Sequence, residues 1–169
     1  MAWYRGARRP LDEAEKSTDA AKARARAMEL LAGQELSSGG LYERLNRRFA
    51  EQTAAAVVAE MVEREYVNDA RYAETRAHGL LAAKKSRRAA AQNLRQKGLS
   101  APQIEQALDT VYAADETGED PELEAAAALV ASRYRKKLEA GRRDLVAALM
   151  RRGFAYPVIR DAIQRVEQE

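Results

Sequence analysis

The sequence predicts an all-α protein made of three tandem three-helix repeats that form an elongated, curved helical array. The composition is helical: of 169 residues, 46% are hydrophobic and 33% charged, with only 4 Pro and 9 Gly. An internal repeat is written into the chain. Leu94-Arg-Gln-Lys-Gly98-Leu-Ser-Ala-Pro102-Gln-Ile104 superimposes on Leu149-Met-Arg-Arg-Gly153-Phe-Ala-Tyr-Pro157-Val-Ile159 at a constant offset of 55. The same register sets Arg87-Arg88 on Arg142-Arg143, and Ala107, Leu108 and Val111 on Ala162, Ile163 and Val166. In each copy a helix closes at a glycine, Gly98 or Gly153, and the next helix carries apolar residues at i, i+3, i+4 and i+7.

Taken in order, residues 1 to 20 are expected to be a mobile arm. Met1 to Pro10 is basic, and Trp3 and Tyr4 do not supply the apolar stretch of a secretory signal. The first repeat, 21–66, has a leading helix over about 20 to 35 and a turn at Ser37-Ser-Gly-Gly40. Leu41 and Leu45 there match Leu145 and Leu149, and Ala54, Val57, Val58 and Met61 repeat the buried stripe. The second repeat, 67–114, leads with a helix over about 68 to 84. Its final helix opens on a capping box, Ser100 with Gln103, and a hydrophobic staple, Leu99 with Ile104. Ala113 to Glu119, with Asp115, Glu116 and Gly118, is expected to be the most flexible joint. The third repeat, 120–169, starts with Asp120 as cap and Pro121 at the first helical position, and its leading helix is expected to run to about 138. Its second turn keeps the staple, Phe154 with Ile159, but has Ala155 where the capping serine stood. Nine helices are predicted in all.

The same residues argue against catalysis. There is no Cys, a single His (His78), no metal-binding His-Glu-x-x-His and no glycine-rich phosphate loop, so neither an enzyme nor a cofactor or metal requirement is expected. His78, in a predicted helix beside Gly79, reads as a surface or packing residue, and Glu60, Glu63 and Glu65 as a solvated helix face. No apolar run approaches the roughly 20 residues that span a bilayer, which predicts a cytoplasmic protein with no membrane partner.

Charge distribution is the informative signal. From Thr75 to Ile104 there are seven basic residues (Arg76, Lys84, Lys85, Arg87, Arg88, Arg95 and Lys97) and no acidic one; against +3 for the whole chain this leaves −4 elsewhere. A second cluster, Ser132 to Gly153, holds Arg133, Arg135, Lys136, Lys137, Arg142, Arg143, Arg151 and Arg152 against Glu139 and Asp144. An ordinary solvated face mixes both signs, so the first window points to a polyanionic partner; the second is equally an Arg-rich surface. A major-groove helix-turn-helix reader does not fit. The helix after the turn carries Glu105, Asp109, Asp115 and Glu116 and no Lys or Arg over Gln103 to Glu116, so the basic residues before the turn favour backbone contact. Tyr66, Tyr72, Tyr134 and Tyr156 occur singly and read as packing residues with a wet hydroxyl.

Glu65-Tyr-Val-Asn-Asp-Ala-Arg-Tyr72-Ala-Glu, followed by Asn93-Leu-Arg-Gln-Lys-Gly98-Leu, resembles the central signature of the RecX family of bacterial recombination regulators. Arg151 to Ile159 is similar to the family's C-terminal repeat, and Leu30-Leu31 through Leu41 and Leu45 to its N-terminal one. Two departures stand out: the family's usual glycine before Tyr66 is Glu65, and the glycines and proline before its central basic helix are replaced by Lys84-Lys-Ser-Arg-Arg88, so that helix is expected to run on unbroken. The resemblance implies a non-catalytic modulator of DNA repair and homologous recombination that binds the RecA filament on single-stranded DNA and restrains ATP hydrolysis and strand exchange; separately, a monomer is expected, with duplex DNA as a further candidate ligand. It also implies structural roles for the signature positions Asp69, Arg71 and Tyr72, in docking one unit on the next, alongside Gly98 and Gly153. Lys84, Lys85, Arg87, Arg88, Arg95 and Lys97 are the first candidates for filament or DNA contact, and Arg142, Arg143, Arg151 and Arg152 the second. The competing expectation is a sequence-nonspecific nucleic-acid binder acting by competition for DNA; a third is a helical adaptor whose basic faces serve only solvation.

Overall fold

The computed structural model describes residues 10–114 and 118–168. Residues 1–9 of the expected arm, and Asp115 and Glu116 of the expected joint, lie outside the described residues. Those described form ten α-helices, one short 3₁₀ turn at Glu13–Glu15 and no β-sheet, as expected of an all-α chain. The chain divides into two compact units, one ending at Asn68 and the other beginning at Asp69.

The first unit contains α1 (Ala20–Gly33), α2 (Ser38–Asn46) and α3 (Glu51–Glu63). Its core is one cluster: Ala23 and Ala27 from α1, Leu41 and Leu45 from α2, and Ala54, Val57, Val58 and Met61 from α3. Ala23 and Ala27 lie one turn apart with no exposure, which lets α1 approach α3 closely. The segment expected to be a loose arm is tied down from Pro10 on: Ser17 and Phe49 form an isolated bridge, Lys16 Nζ donates to Asn46 Oδ1 at 3.0 Å, and Glu13 accepts from the Glu51 N–H at 2.6 Å. Ser38-Gly39-Gly40 is not a free turn but the first turn of α2. The buried Ser37 hydroxyl accepts from the Gly40 N–H at 3.0 Å, supplying the N-cap that two glycines in a first turn require.

The second unit holds two further groups. One is α4 (Asp69–Ala82), α5 (Arg87–Gln96) and α6 (Ala101–Val111); the other is α7 (Pro121–Ala131), α8 (Arg135–Ala140), α9 (Arg142–Arg151) and α10 (Tyr156–Gln168). Each has its own core. The residues matched at the offset of 55 take equivalent places: Ala90 and Leu94 of α5, and Leu145 and Leu149 of α9, at no or near-zero exposure, and Ile104, Ala107 and Leu108 of α6 against Ile159, Ala162 and Ile163 of α10. Burying one such leucine contributes about 1.5–3 kcal/mol. Closely packed pairs recur on the leading helices, Ala73 with Ala77 on α4 against α6, and Ala126 with Val130 on α7 against α10. The staple residues Leu99, Ile104, Phe154 and Ile159 are all buried, and Gln103 Oε1 accepts from the Ser100 N–H at 2.8 Å. Asp120 Oδ1 caps α7 through the Glu122 N–H at 2.8 Å.

Two expectations fail here. The leading helix of the third group stops at Ala131, where the Ser132 hydroxyl turns back on the Ala128 carbonyl at 2.5 Å, and α8 starts separately. Nor does a helix run on through Lys84–Arg88: α4 ends at Ala82, Lys84 is left-handed (φ 55°), and Ser86 caps a new helix. Glu65, the other departure from the RecX signature, is also left-handed (φ 58°). These two are the non-glycine residues of positive φ among those described, so the conformation that glycine favours is kept where the glycine is not. Each follows a helix end, where a left-handed residue lets the chain turn away.

Replacing the exposed Glu65 by Gly therefore removes backbone strain, and Glu65→Gly is expected to raise stability by about 1 kcal/mol, measured as a higher urea midpoint at unchanged slope.

Candidate nucleic-acid interface

The second and third groups meet where the chain between α4 and α5 lies on the end of α9. Ser86 has no exposure and uses its hydroxyl twice: it accepts from the Ala89 N–H at 3.1 Å, capping α5, and donates to the Arg152 carbonyl at 2.9 Å, which α9 leaves open at its C-terminus. A side chain at Gly153 cannot fit beside it. Gly153 has φ 90°, and a Cβ there would stand 2.7 Å from the Ser86 hydroxyl oxygen. The glycine that the repeat pattern marked as a helix terminator is thus also a point of close approach between groups.

Neighbouring residues complete the join. Tyr112 donates its hydroxyl to the Lys85 carbonyl at 2.9 Å; burial first, then the Glu122 charge, pushes its pKa up to about 12. Glu122 of α7 accepts from the Arg87 N–H at 3.0 Å, one of the open donors at the start of α5. Burial raises the Glu122 pKa, opposed by that hydrogen bond. The Arg87 side chain donates to the Leu108 carbonyl at 2.9 Å and pairs with Asp109 at 2.5 Å.

These contacts sort the predicted basic residues. Arg87 is a structural clamp. Arg142, at the start of α9, pairs with Glu167 through two nitrogens. Arg95 and Arg143 are exposed on α5 and α9, and Lys97 is half-buried at the end of α5. Lys84, Lys85, Arg151 and Arg152 come together: with Ala89 they line one concavity of about 290 Å³. Lys84 and Lys85 follow the end of α4, and Arg151 and Arg152 close α9, so all four sit at helix C-termini, where the backbone carbonyls favour cations. Arg152 is aimed by Tyr134, to whose hydroxyl it donates at 3.3 Å. Beside this concavity a groove of about 480 Å³ runs between Arg88 and Ala91 of α5 and Met150, Phe154 and Tyr156. Tyr156 is 58% exposed and Tyr66 is 49% exposed, so neither is the packing residue that was expected; Tyr72 and Tyr134 do pack, against the second and third cores.

Of the signature residues, Asp69 opens α4 and accepts from Gln103 Nε2 at 3.4 Å, and Arg71 is exposed. Gly98 has φ 76° where α5 turns toward α6. His78 is exposed, 3.9 Å from Glu74, and Glu60 pairs with Arg24 and Arg64. Among the described residues no group of His, Asp and Glu is placed to hold a metal ion, and no helix is long and apolar enough to cross a membrane.

The fold and this join define an all-α protein of helical groups, two of three helices and one of four, with a basic concavity between the second and third. Residues 68–108 match the family model described as "RecX, second three-helix domain". The chain is similar in fold to the crystal structure of RecX from Lactobacillus salivarius, with a TM-score of 0.73 and 22% identity over 89% of this chain and 98% of that one. It is similarly close to a second crystal structure, of regulatory protein RecX, with a TM-score of 0.71 and 23% identity over 89% of this chain and 73% of that one. No curated protein matches the sequence. Residues 68–108 thus resemble a RecX three-helix domain, the fold is similar to that of the two RecX structures, and the resemblance read from the signature residues holds.

Two outcomes test the join. Gly153→Ala is expected to cost about 3 kcal/mol, combining left-handed strain with the clash on Ser86, whereas Gly118→Ala, at φ 81° with open space around it, should cost only the strain; chemical denaturation compares them. Glu122→Gln keeps the acceptor for Arg87 and removes the half-buried charge. Because the folded-state pKa is raised, the native charge is unfavourable above that pKa, so the variant should be more stable than the parent at neutral pH and the gap should close as pH falls toward the ordinary carboxylate value.

Proposed function

We propose that this protein is a RecX-type regulator that binds the RecA filament on single-stranded DNA and restrains its ATPase and strand exchange. The observation that carries the reading is the convergence of one pair of cations from each basic cluster, Lys84-Lys85 and Arg151-Arg152, around one concavity of a unit whose leading group matches a RecX domain. Lys84, Lys85, Arg88, Arg151 and Arg152 are the main electrostatic contacts, and Arg95, Lys97 and Arg143 add to them. Arg87 and Arg142 contribute charge while occupied with Asp109 and Glu167.

The exposed face of α6 supports backbone contact over base reading, since its Glu105 and Asp109 would repel phosphates. Competition for DNA by a nonspecific binder draws on the same basic face, and requirement for RecA separates the two readings.

In an assay of RecA ATP hydrolysis on single-stranded DNA, inhibition is expected well below one protein per RecA. Inhibition only once the DNA itself is saturated would leave a plain competitor. Lys84→Ala/Lys85→Ala/Arg88→Ala should lose most of the inhibition while keeping its helical circular dichroism.

A further inference from the structure

We infer that Lys84, Lys85, Arg151 and Arg152 form a single phosphate-binding pocket shared between the second and third helical groups, and that its natural occupant is one backbone phosphate of single-stranded nucleic acid. The inference rests on the nucleic-acid part of the reading above and specifies its site. In sequence these are two pairs, each on its own repeat, which predicts two separate contacts spaced along a polyanion. The fold places them around one concavity of about 290 Å³, lined otherwise by Ala89 and by no carboxylate.

Three features favour a phosphate there. None of the four is in an ion pair among the described residues, whereas Arg87, Arg135, Arg142, Arg160 and Arg165 of the same unit are. Four like charges around one hollow repel one another unless an anion enters, and a tetrahedral phosphate offers acceptors to guanidinium forks and ammonium groups together. The pocket is also built rather than incidental. Lys84 is half-buried and held by a left-handed backbone, the Lys85 carbonyl is anchored by Tyr112, and Arg152 is anchored at its carbonyl by Ser86 and at its guanidinium by Tyr134. A fixed backbone and a guanidinium already held lose less freedom on binding than loose surface lysines. The pocket further requires the join itself, because the Ser86 contact sets one pair of cations against the other.

Coupling between the pairs is the test. Fluorescence anisotropy with a labelled oligo-dT, without RecA, compares Lys85→Ala, Arg151→Ala and the double variant. Each single change is expected to weaken binding about tenfold, the loss of one charge-assisted contact, and the double clearly less than the product of the two. Arg95→Ala with Arg151→Ala should multiply. Independent, multiplicative losses for Lys85 and Arg151 would overturn the shared pocket. In parallel, inorganic phosphate should raise the unfolding midpoint above that in sodium chloride of equal ionic strength, and the Lys85→Ala/Arg151→Ala variant should lose that increment; an equal rise in both proteins is general salt stabilisation and counts against the pocket. A phosphate effect without oligonucleotide binding would overturn the nucleic-acid occupant in favour of a free phosphate compound. Loss of oligonucleotide coupling with RecA inhibition intact would sink this inference and leave the regulatory reading standing.

Discussion

Ser86 has no water within reach, so both the proton and a lone pair of its hydroxyl must be satisfied inside the protein. The chain meets that demand with two helix ends that have needs of their own: the start of α5 lacks acceptors for its N–H groups, and the end of α9 lacks donors for its carbonyls. One hydroxyl serves both, at 3.1 and 2.9 Å, and in doing so fixes the second helical group on the third. Gly153 follows from this contact, because any Cβ there would displace the hydroxyl. So do the anchoring of Lys85 by Tyr112, the meeting of Arg87 with Glu122, and the approach of two pairs of cations that the sequence keeps far apart.

Electrostatics divides the arginines by what lies behind them. At the start of a helix a cation is unfavourably placed against the exposed N–H groups, and Arg87 and Arg142, both at first helical positions, are each neutralised by a carboxylate from the helix packed alongside. At the end of a helix the same charge is favoured, and Arg151 and Arg152 stand there without a carboxylate partner among the described residues. Residues of one charge on one helix therefore differ in setting: some are neutralised within the fold, and others have no carboxylate partner among the described residues.

The repeat architecture was legible because burial imposes periodicity. Leu94 and Leu149, or Ile104 and Ile159, occupy matching core positions, and matching positions select matching residues. Caps at Asp120 and Ser100 were legible for the same local reason. Three things were not. The break after Ala82 depends on a left-handed backbone that an ordinary helix former, Lys84, adopts, and the break after Ala131 on a Ser132 hydroxyl turned back on the chain; propensity registers neither. Ser37 and its glycines looked like a loop because Gly is a poor helix former, yet a buried cap outweighs that cost. The shared pocket was invisible because periodicity describes one helix at a time, and Lys84 and Arg152 become neighbours only through a contact between groups. A signal did exist: Ser86, an unremarkable polar residue in a basic run, sits in the same place before α5 as Ser37 before α2.

The Ser86 hydroxyl and the carbonyl it bonds are 66 residues apart in the chain. During synthesis at about 5–20 residues per second, the Ser86 hydroxyl waits roughly 3–13 s for the carbonyl to which it donates. The core of the second group can close in that time from its own residues, Ala73 through Tyr112. The basic concavity cannot, since half of it has not yet been made. A chain that stops short of Arg152 would thus hold every residue of its middle core and lack half of the basic concavity, so assembly of this surface reports that translation has passed the end of α9.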